Sequence, residues 1–72
     1  MDFEQLTEEY EADLQRVRDK IARLKLQETA LHLAGCHNDA WKLAGIRLRY
    51  ELIERDLAYA LAQMHGQKKK PE

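Results

Sequence analysis

The sequence predicts an all-α fold, an antiparallel two-helix hairpin with coiled-coil-like packing. Strong helix formers dominate its 72 residues, which include only three glycines and one proline. Apolar side chains recur at alternating steps of three and four residues in both halves of the chain. A short segment around Gly35 separates the two halves. So short a connection between long helices makes them antiparallel neighbours.

The first helix is expected at about residues 3–33. Asp2 is suited to cap its N-terminus, because Gln5 follows at capping-box spacing, and Thr7, followed by Glu8 and Glu9, is a later alternative start. A single seam runs along this helix, with the members Phe3, Thr7, Tyr10, Leu14, Val17, Ile21, Leu24, Glu28 and Leu31. The other faces are mainly charged, so the first helix is apolar on one side only.

The turn is expected at residues 34–38, and Gly35 suits the left-handed conformation that ends many helices. Asn38 or Asp39 can cap the second helix, which is expected at about residues 39–65 with Gly66 as its end. Residues 1–66 then form one domain, and residues 67–72 are expected to be a flexible basic tail.

The second helix differs from the first because it has two apolar sides. Its seam consists of Leu43, Ile46, Tyr50, Ile53, Leu57, Ala60 and Met64. At about 100° per residue, a second apolar set lies nearly opposite that seam. This set, here called the free stripe, consists of Trp41, Leu48, Leu52 and Tyr59. The sequence leaves open which of the two apolar sides packs on the first helix, because either choice leaves the other side uncovered.

The free stripe predicts an association surface, because the first helix can cover only one side of the second. Large contiguous apolar patches on soluble proteins usually mark an interface. We expect a homodimer in which two hairpins form a four-helix bundle with the second helices central. A helical partner protein would satisfy the same surface.

Catalysis is not expected from this sequence. It contains no serine, and Cys36 is adjacent to His37 in a turn, where neighbouring residues rarely form a working dyad. We therefore expect a protein that is not an enzyme and holds no cofactor. One alternative is a metal- or redox-responsive turn built from His32, Cys36 and His37, although the paired spacings typical of zinc sites are missing.

A second alternative is a small dimeric nucleic-acid-binding hairpin that uses the basic middle of the first helix. Its contacts would come from Arg16, Lys20 and Arg23. A net charge of −1 argues against a dedicated phosphate binder, so nucleic acid is not the expected partner.

A cytoplasmic location without membrane association is expected. The single cysteine, Cys36, allows no intramolecular disulfide, which fits a reducing compartment. The first residues are acidic rather than apolar, and no stretch approaches the length of about 20 apolar residues that a membrane span needs.

Residues 46–61, with the sequence IRLRYELIERDLAYAL, resemble the second helix of small uncharacterised helical-hairpin proteins of bacterial prophages and other mobile elements. The resemblance covers about a quarter of the chain and consists mostly of a charged and apolar helical pattern. It implies a bacterial or phage accessory protein. Together these observations predict a non-enzymatic protein–protein interaction or regulatory module that acts through its helix surfaces.

Overall fold

The computed structural model describes residues 2–68 of the chain. Two α-helices, α1 (Phe3–Leu33) and α2 (His37–Lys68), form nearly all of this part, which contains no β-strand. They pack against each other as a hairpin that measures 58 × 17 × 15 Å. Thr7 near the start of α1 meets Met64 near the end of α2, and Glu28 meets Arg47 closer to the turn. The helices are therefore antiparallel, and the predicted all-helical hairpin is confirmed.

The start of α1 is capped as predicted. The Asp2 carboxylate accepts a hydrogen bond from the backbone N–H of Gln5 at 2.7 Å. This contact satisfies one of the N–H groups that have no partner in the first turn of a helix.

The turn at the end of α1 depends on Gly35, which has a φ of +82°. The N–H of Cys36 donates to the carbonyl of Leu31 at 2.8 Å, and the N–H of Gly35 donates to that of His32 at 3.0 Å. These two bonds form a Schellman motif, which satisfies carbonyl groups that the helix end would otherwise leave unpaired. The predicted role of Gly35 is confirmed.

The turn is shorter than predicted, since it comprises residues 34–36 and α2 begins at His37. The carbonyl of Cys36 already accepts from the N–H of Ala40 at 3.1 Å. Because the chain enters α2 directly after the Schellman motif, Asn38 and Asp39 lie within the helix and do not cap it. α2 thus begins two residues before the expected start at about residue 39.

α2 also extends past its expected end at about residue 65, because the helix continues through Gly66 to Lys68. Gly66 does not adopt a positive φ, so it provides no left-handed stop. Of the predicted tail, residues 67 and 68 are helical, and residues 69–72 lie outside the described residues.

The core lies between the two helices. From α1 it takes Leu14, Ile21 and Leu24, which are at most 7% exposed, and the buried Thr7. From α2 it takes Ala40 and Leu61. The predicted α1 seam is therefore confirmed over most of its length, and only Phe3, at the open end of the hairpin, is largely exposed.

The side of α2 that faces α1 differs from the predicted seam. Ile46 and Ile53 remain 42% and 46% exposed, whereas Arg47 and Glu54, one residue further along, are half-buried. The observed seam consists of Ala40, Leu43, Arg47, Tyr50, Glu54, Leu57, Leu61 and Met64. The pairing of Glu28 with Arg47 contributes to this difference, because a carboxylate on the α1 seam is costly to bury unless a cation faces it.

Within residues 2–68, neither helix contains a segment that is apolar over enough turns to cross a lipid bilayer.

Candidate functional site

The free stripe lies on α2, on the side that faces away from α1. Its exposed fractions are 63% for Trp41, 56% for Leu48, 52% for Leu52 and 67% for Tyr59. Their spacings of seven, four and seven residues keep them in one line along the helix. α1 therefore covers none of these side chains, and α2 carries its largest exposed apolar surface on this face.

Ile46 and Ile53 form a separate exposed flank of α2. Each precedes a seam residue by one position and lies between the packed side and the free stripe. In a square four-helix bundle, this flank would face the central core. In an assembly built on the free stripe, it would stay at the edge.

An ion pair lies inside the packed side of α2. The Arg47 guanidinium donates Nε–H to one Glu28 oxygen at 2.5 Å and Nη2–H to the other at 3.1 Å. It also donates Nη1–H to Glu51 at 2.9 Å. The hydrogen bond from Arg47 lowers the pKa of Glu28 below its usual value, and the bonds to Glu28 and Glu51 raise the pKa of Arg47. Two-point pairing fixes the register between the helices.

The basic residues proposed to contact nucleic acid are exposed on α1. Arg16 is bound to Asp13 of its own helix at 2.7 Å, while Lys20 and Arg23 lie further along α1. Arg18, a neighbour of this group, pairs with Glu54 of α2 at 3.0 Å. Two of the basic groups in this region are thus engaged by carboxylates, and their role in nucleic-acid binding stays a prediction.

The turn brings two of the three predicted metal-ligating residues together. The Nδ1 atoms of His32 and His37 lie 2.8 Å apart, and the two rings have centroids separated by 5.0 Å. Cys36 is exposed with a free thiol. The described part of the chain contains no group of three or more His, Cys, Asp or Glu side chains arranged for a metal ion. The three-residue turn site is therefore not assembled, whereas a two-histidine pair is.

The open end of the hairpin contains a polar groove of about 290 Å³, lined by Glu4, Thr7, Glu8, Glu11 and His65. The His65 Nε2 atom lies 3.5 Å from a Glu11 oxygen. The groove places three carboxylates beside one imidazole, and the hydroxyl of Thr7 donates to the carbonyl of Phe3 at 2.9 Å rather than to that imidazole.

Comparison with known protein families, with characterised proteins and with solved structures finds no significant match to any of them. The resemblance of residues 46–61 to helices of small prophage proteins therefore stays a prediction.

The sequence reasoning missed two arrangements that the structure reveals. The Arg47–Glu28 pair had a signal, because Glu28 was recognised as a charged member of an apolar seam and therefore required an opposite charge on the facing helix. The His32–His37 pair had none, since a spacing of five residues places no two side chains together on one helix. Only the geometry of the turn brings these rings into contact.

Proposed function

We propose that this protein acts by association, as a non-enzymatic protein–protein interaction or regulatory module, and that the free stripe binds a second copy of the chain. The observation that carries the proposal is the exposure of Trp41, Leu48, Leu52 and Tyr59 in one line on α2. Burying a large apolar side chain contributes about 1.5–3 kcal/mol, so leaving four of them in water is unfavourable.

The spacing of the free stripe supports a second copy as the partner. The spacing of the free stripe is symmetric about position 50, because its successive members are seven, four and seven residues apart. Two antiparallel α2 helices related by a twofold axis at that position would place Trp41 beside Tyr59 of the second copy. Leu48 would lie beside Leu52 of the second copy. A surface that is complementary to itself in this way is what a twofold dimer needs.

The charges beside the stripe do not select the antiparallel register. Lys42, Arg49 and Asp56 lie on one flank of α2, seven residues apart and centred at position 49. In the antiparallel pairing, each Lys42 would face Asp56 of the second copy, and Arg49 would face Arg49. Exposed contacts of this kind contribute little, so the proposal rests on the apolar spacing.

The proposed dimer is a row of four helices, with both α2 helices in the middle and α1 on the outside. This order follows because the free stripe points away from α1 rather than sideways. A square bundle would instead use the flank of Ile46 and Ile53. The two arrangements bury different side chains, so substitutions separate them.

The test compares two matched double variants by sedimentation and circular dichroism. Leu48→Glu with Leu52→Glu should convert the dimer to a monomer and lower its helicity. Ile46→Glu with Ile53→Glu introduces the same charges on the same helix and should retain the dimer. Glutamate has good helix propensity, so a loss of structure reports lost burial. The opposite result would establish the square bundle and reject the row of four.

The unsubstituted protein provides the second part of the test. We expect a dimer at micromolar concentration. A well-folded monomer at high concentration would reject the second copy as the partner. If acrylamide then quenched Trp41 fully, the free stripe would be assigned to a different helical protein.

The proposed setting is the cytoplasm of a bacterium, with the protein acting as a bacterial or phage accessory factor. The exposed free thiol of Cys36 supports a reducing compartment, because it would be oxidised readily elsewhere. The bacterial or phage origin rests on the resemblance of residues 46–61 alone.

A further inference from the structure

Two histidines face each other across the turn of the hairpin. His32 lies in the last turn of α1, and His37 is the first residue of α2. The Schellman bonds around Gly35 hold the two helix ends at a fixed separation. As a result, the Nδ1 atoms of the two rings lie 2.8 Å apart, and both side chains are exposed to solvent.

The two Nδ1 atoms are so close that only one of them can carry a hydrogen atom in this contact. One Nδ1 must carry a hydrogen and donate it, and the other must accept through its lone pair. Two imidazole nitrogens that converge on one point are also a ligand pair, because imidazole binds most first-row transition metals.

We propose that His32 and His37 bind a divalent late first-row transition metal through their Nδ1 atoms. The 2.8 Å between the two Nδ1 atoms is a hydrogen-bond separation, so each ring turns its lone pair towards the metal when the metal replaces the hydrogen. Cu²⁺ is the ion expected to bind most tightly, because nitrogen ligands prefer it to the other divalent first-row metals. Water would complete the coordination.

Proton balance in this step is simple. In a neutral pair, the ring that donates through Nδ1 loses that proton and gains one at Nε2 from solvent. Both Nδ1 lone pairs are then available to the metal, and no net proton is released. The metal replaces the shared hydrogen as the link between the end of α1 and the start of α2.

Binding at this position would stabilise the hairpin. The two ligands belong to different helices and come together only in the folded chain, so the metal binds the native state and not the unfolded one. The site lies at the turn and uses no residue of the free stripe as a ligand. Metal binding and dimerisation can therefore fail independently.

Trp41 is a built-in reporter for the test. It is the only tryptophan in the sequence, and its ring centroid lies 6.4 Å from that of His37. Cu²⁺ bound at His37 should therefore quench its fluorescence. The titration is done with Cu²⁺ on the full chain carrying Cys36→Ser, which removes thiol binding and thiol oxidation. We expect saturation at one Cu²⁺ per chain and a higher midpoint of thermal unfolding.

Three matched variants in the same background locate the site. His32→Gln and His37→Gln should each weaken Cu²⁺ binding on the order of 10²-fold, because each removes one arm of a two-point contact. His65→Gln is the control and should bind like the parent, because His65 lies at the opposite end of its own hairpin and contacts Glu11 of α1, on the side of α2 that faces away from the free stripe and from a second copy. The affinity order Cu²⁺ above Ni²⁺ above Zn²⁺ should hold for the parent.

Equal binding by all three variants would overturn the proposal and assign the copper to groups elsewhere on the chain. A second measurement needs no histidine substitution. Substoichiometric Cu²⁺ should broaden the ring signals of His32 and His37 in the NMR spectrum and leave those of His65 sharp. Broadening of His65 alone, or of none of the three, would reject the turn as the site.

Discussion

The two sides of α2 differ in composition, and only one of them contacts α1. The side that packs on α1 has charged residues in its middle, Arg47 and Glu54, both half-buried. The side that faces away carries the free stripe, with Leu48 and Leu52 at its centre. Each charged residue on the packed side has a partner on α1, Glu28 or Arg18. Apolarity alone therefore did not select the packed side. The need to pair Glu28 contributed, and it left the more apolar stripe exposed.

The largest effect is expected from truncating a leucine on the packed side. Leu61→Ala should destabilise the protein by about 2–5 kcal/mol, because Leu61 is 6% exposed and its removal leaves a cavity. The matched change, Leu48→Ala on the free stripe, should alter the stability of the monomer by less than about 0.5 kcal/mol. Urea unfolding at several protein concentrations measures both.

The concentration dependence separates the two sides of α2. The loss at Leu61 should be present at every concentration, and the loss at Leu48 should grow as the protein is concentrated enough to dimerise. Equal losses at high dilution would mean that the two sides are not distinct.

The turn that holds the packed side in place gives the next largest effect. Gly35→Val should destabilise the hairpin by about 1–3 kcal/mol, since a β-branched residue is strained at a φ of +82°. Beyond the adjacent backbone, no atom lies within 4 Å of the point that a Cβ would occupy at Gly35 or Gly66, so crowding does not enter. Gly66→Val, at a helical position, is the control and should change stability by less than about 0.5 kcal/mol. Thermal unfolding followed by circular dichroism compares the two.

The ion pair of the packed side should be visible in the pH dependence of stability. Arg47 lowers the pKa of Glu28 in the folded protein below the ordinary value of 4.5. The pair therefore stabilises the hairpin above that pH, and this contribution is lost as the pH falls below it through the folded pKa. Glu28→Gln should be less stable than the parent at pH 7, and the difference should shrink below a pH of about 4.5.

Arg47→Gln serves as the control for that experiment, because it removes the cause of the shifted pKa. Arg47→Gln should reduce the loss of stability that the parent shows as the pH falls below about 4.5. Adding Glu28→Gln to this variant should reduce that pH-dependent loss no further. Independent, additive effects of the two substitutions would show that the residues do not act as a pair.

The smallest effect is expected at Cys36, which belongs to neither side of α2. Its thiol is free and exposed, so Cys36→Ser should leave helicity and assembly unchanged under reducing conditions and alter stability by less than about 0.5 kcal/mol. Sedimentation in the presence of a reductant measures the assembly. Loss of the dimer in this variant would contradict the assignment of the interface to the free stripe.

The sequence predicted α1 better than α2, for a physical reason. α1 has one apolar seam, so its periodicity identifies the side that faces α2. The cap at Asp2 depends only on residues close to it in sequence. In α2, the positions of Leu43, Tyr50, Leu57 and Met64 belong to two possible seams. One continues through Ile46 and Ile53, and the other through Arg47 and Glu54.

Apolarity favours the isoleucine seam of α2, whereas pairing with α1 favours the charged one. The choice depends on contacts between helices, which periodicity within one helix does not contain. The start of α2 at the turn differed from the expectation for a similar reason. A capping residue such as Asn38 marks the start of a helix only where the chain before it is not already helical. The free stripe was recognisable as a second apolar side of α2 because it lies nearly opposite both seams, but the sequence did not determine which of the two sides packs on α1.

The turn at Gly35 also sets an order in which the hairpin forms. Glu28 and Arg47 are 19 residues apart in sequence, whereas Thr7 and Met64 at the open end are 57 apart. Closing the longer loop first carries the larger entropic cost, but once the inner pair has formed, each outer layer closes only a short additional segment. We therefore expect the hairpin to form from the turn outwards, as proteins with local contacts do. The contacts around Thr7 should then form last and open first, which hydrogen exchange of the backbone amides would show.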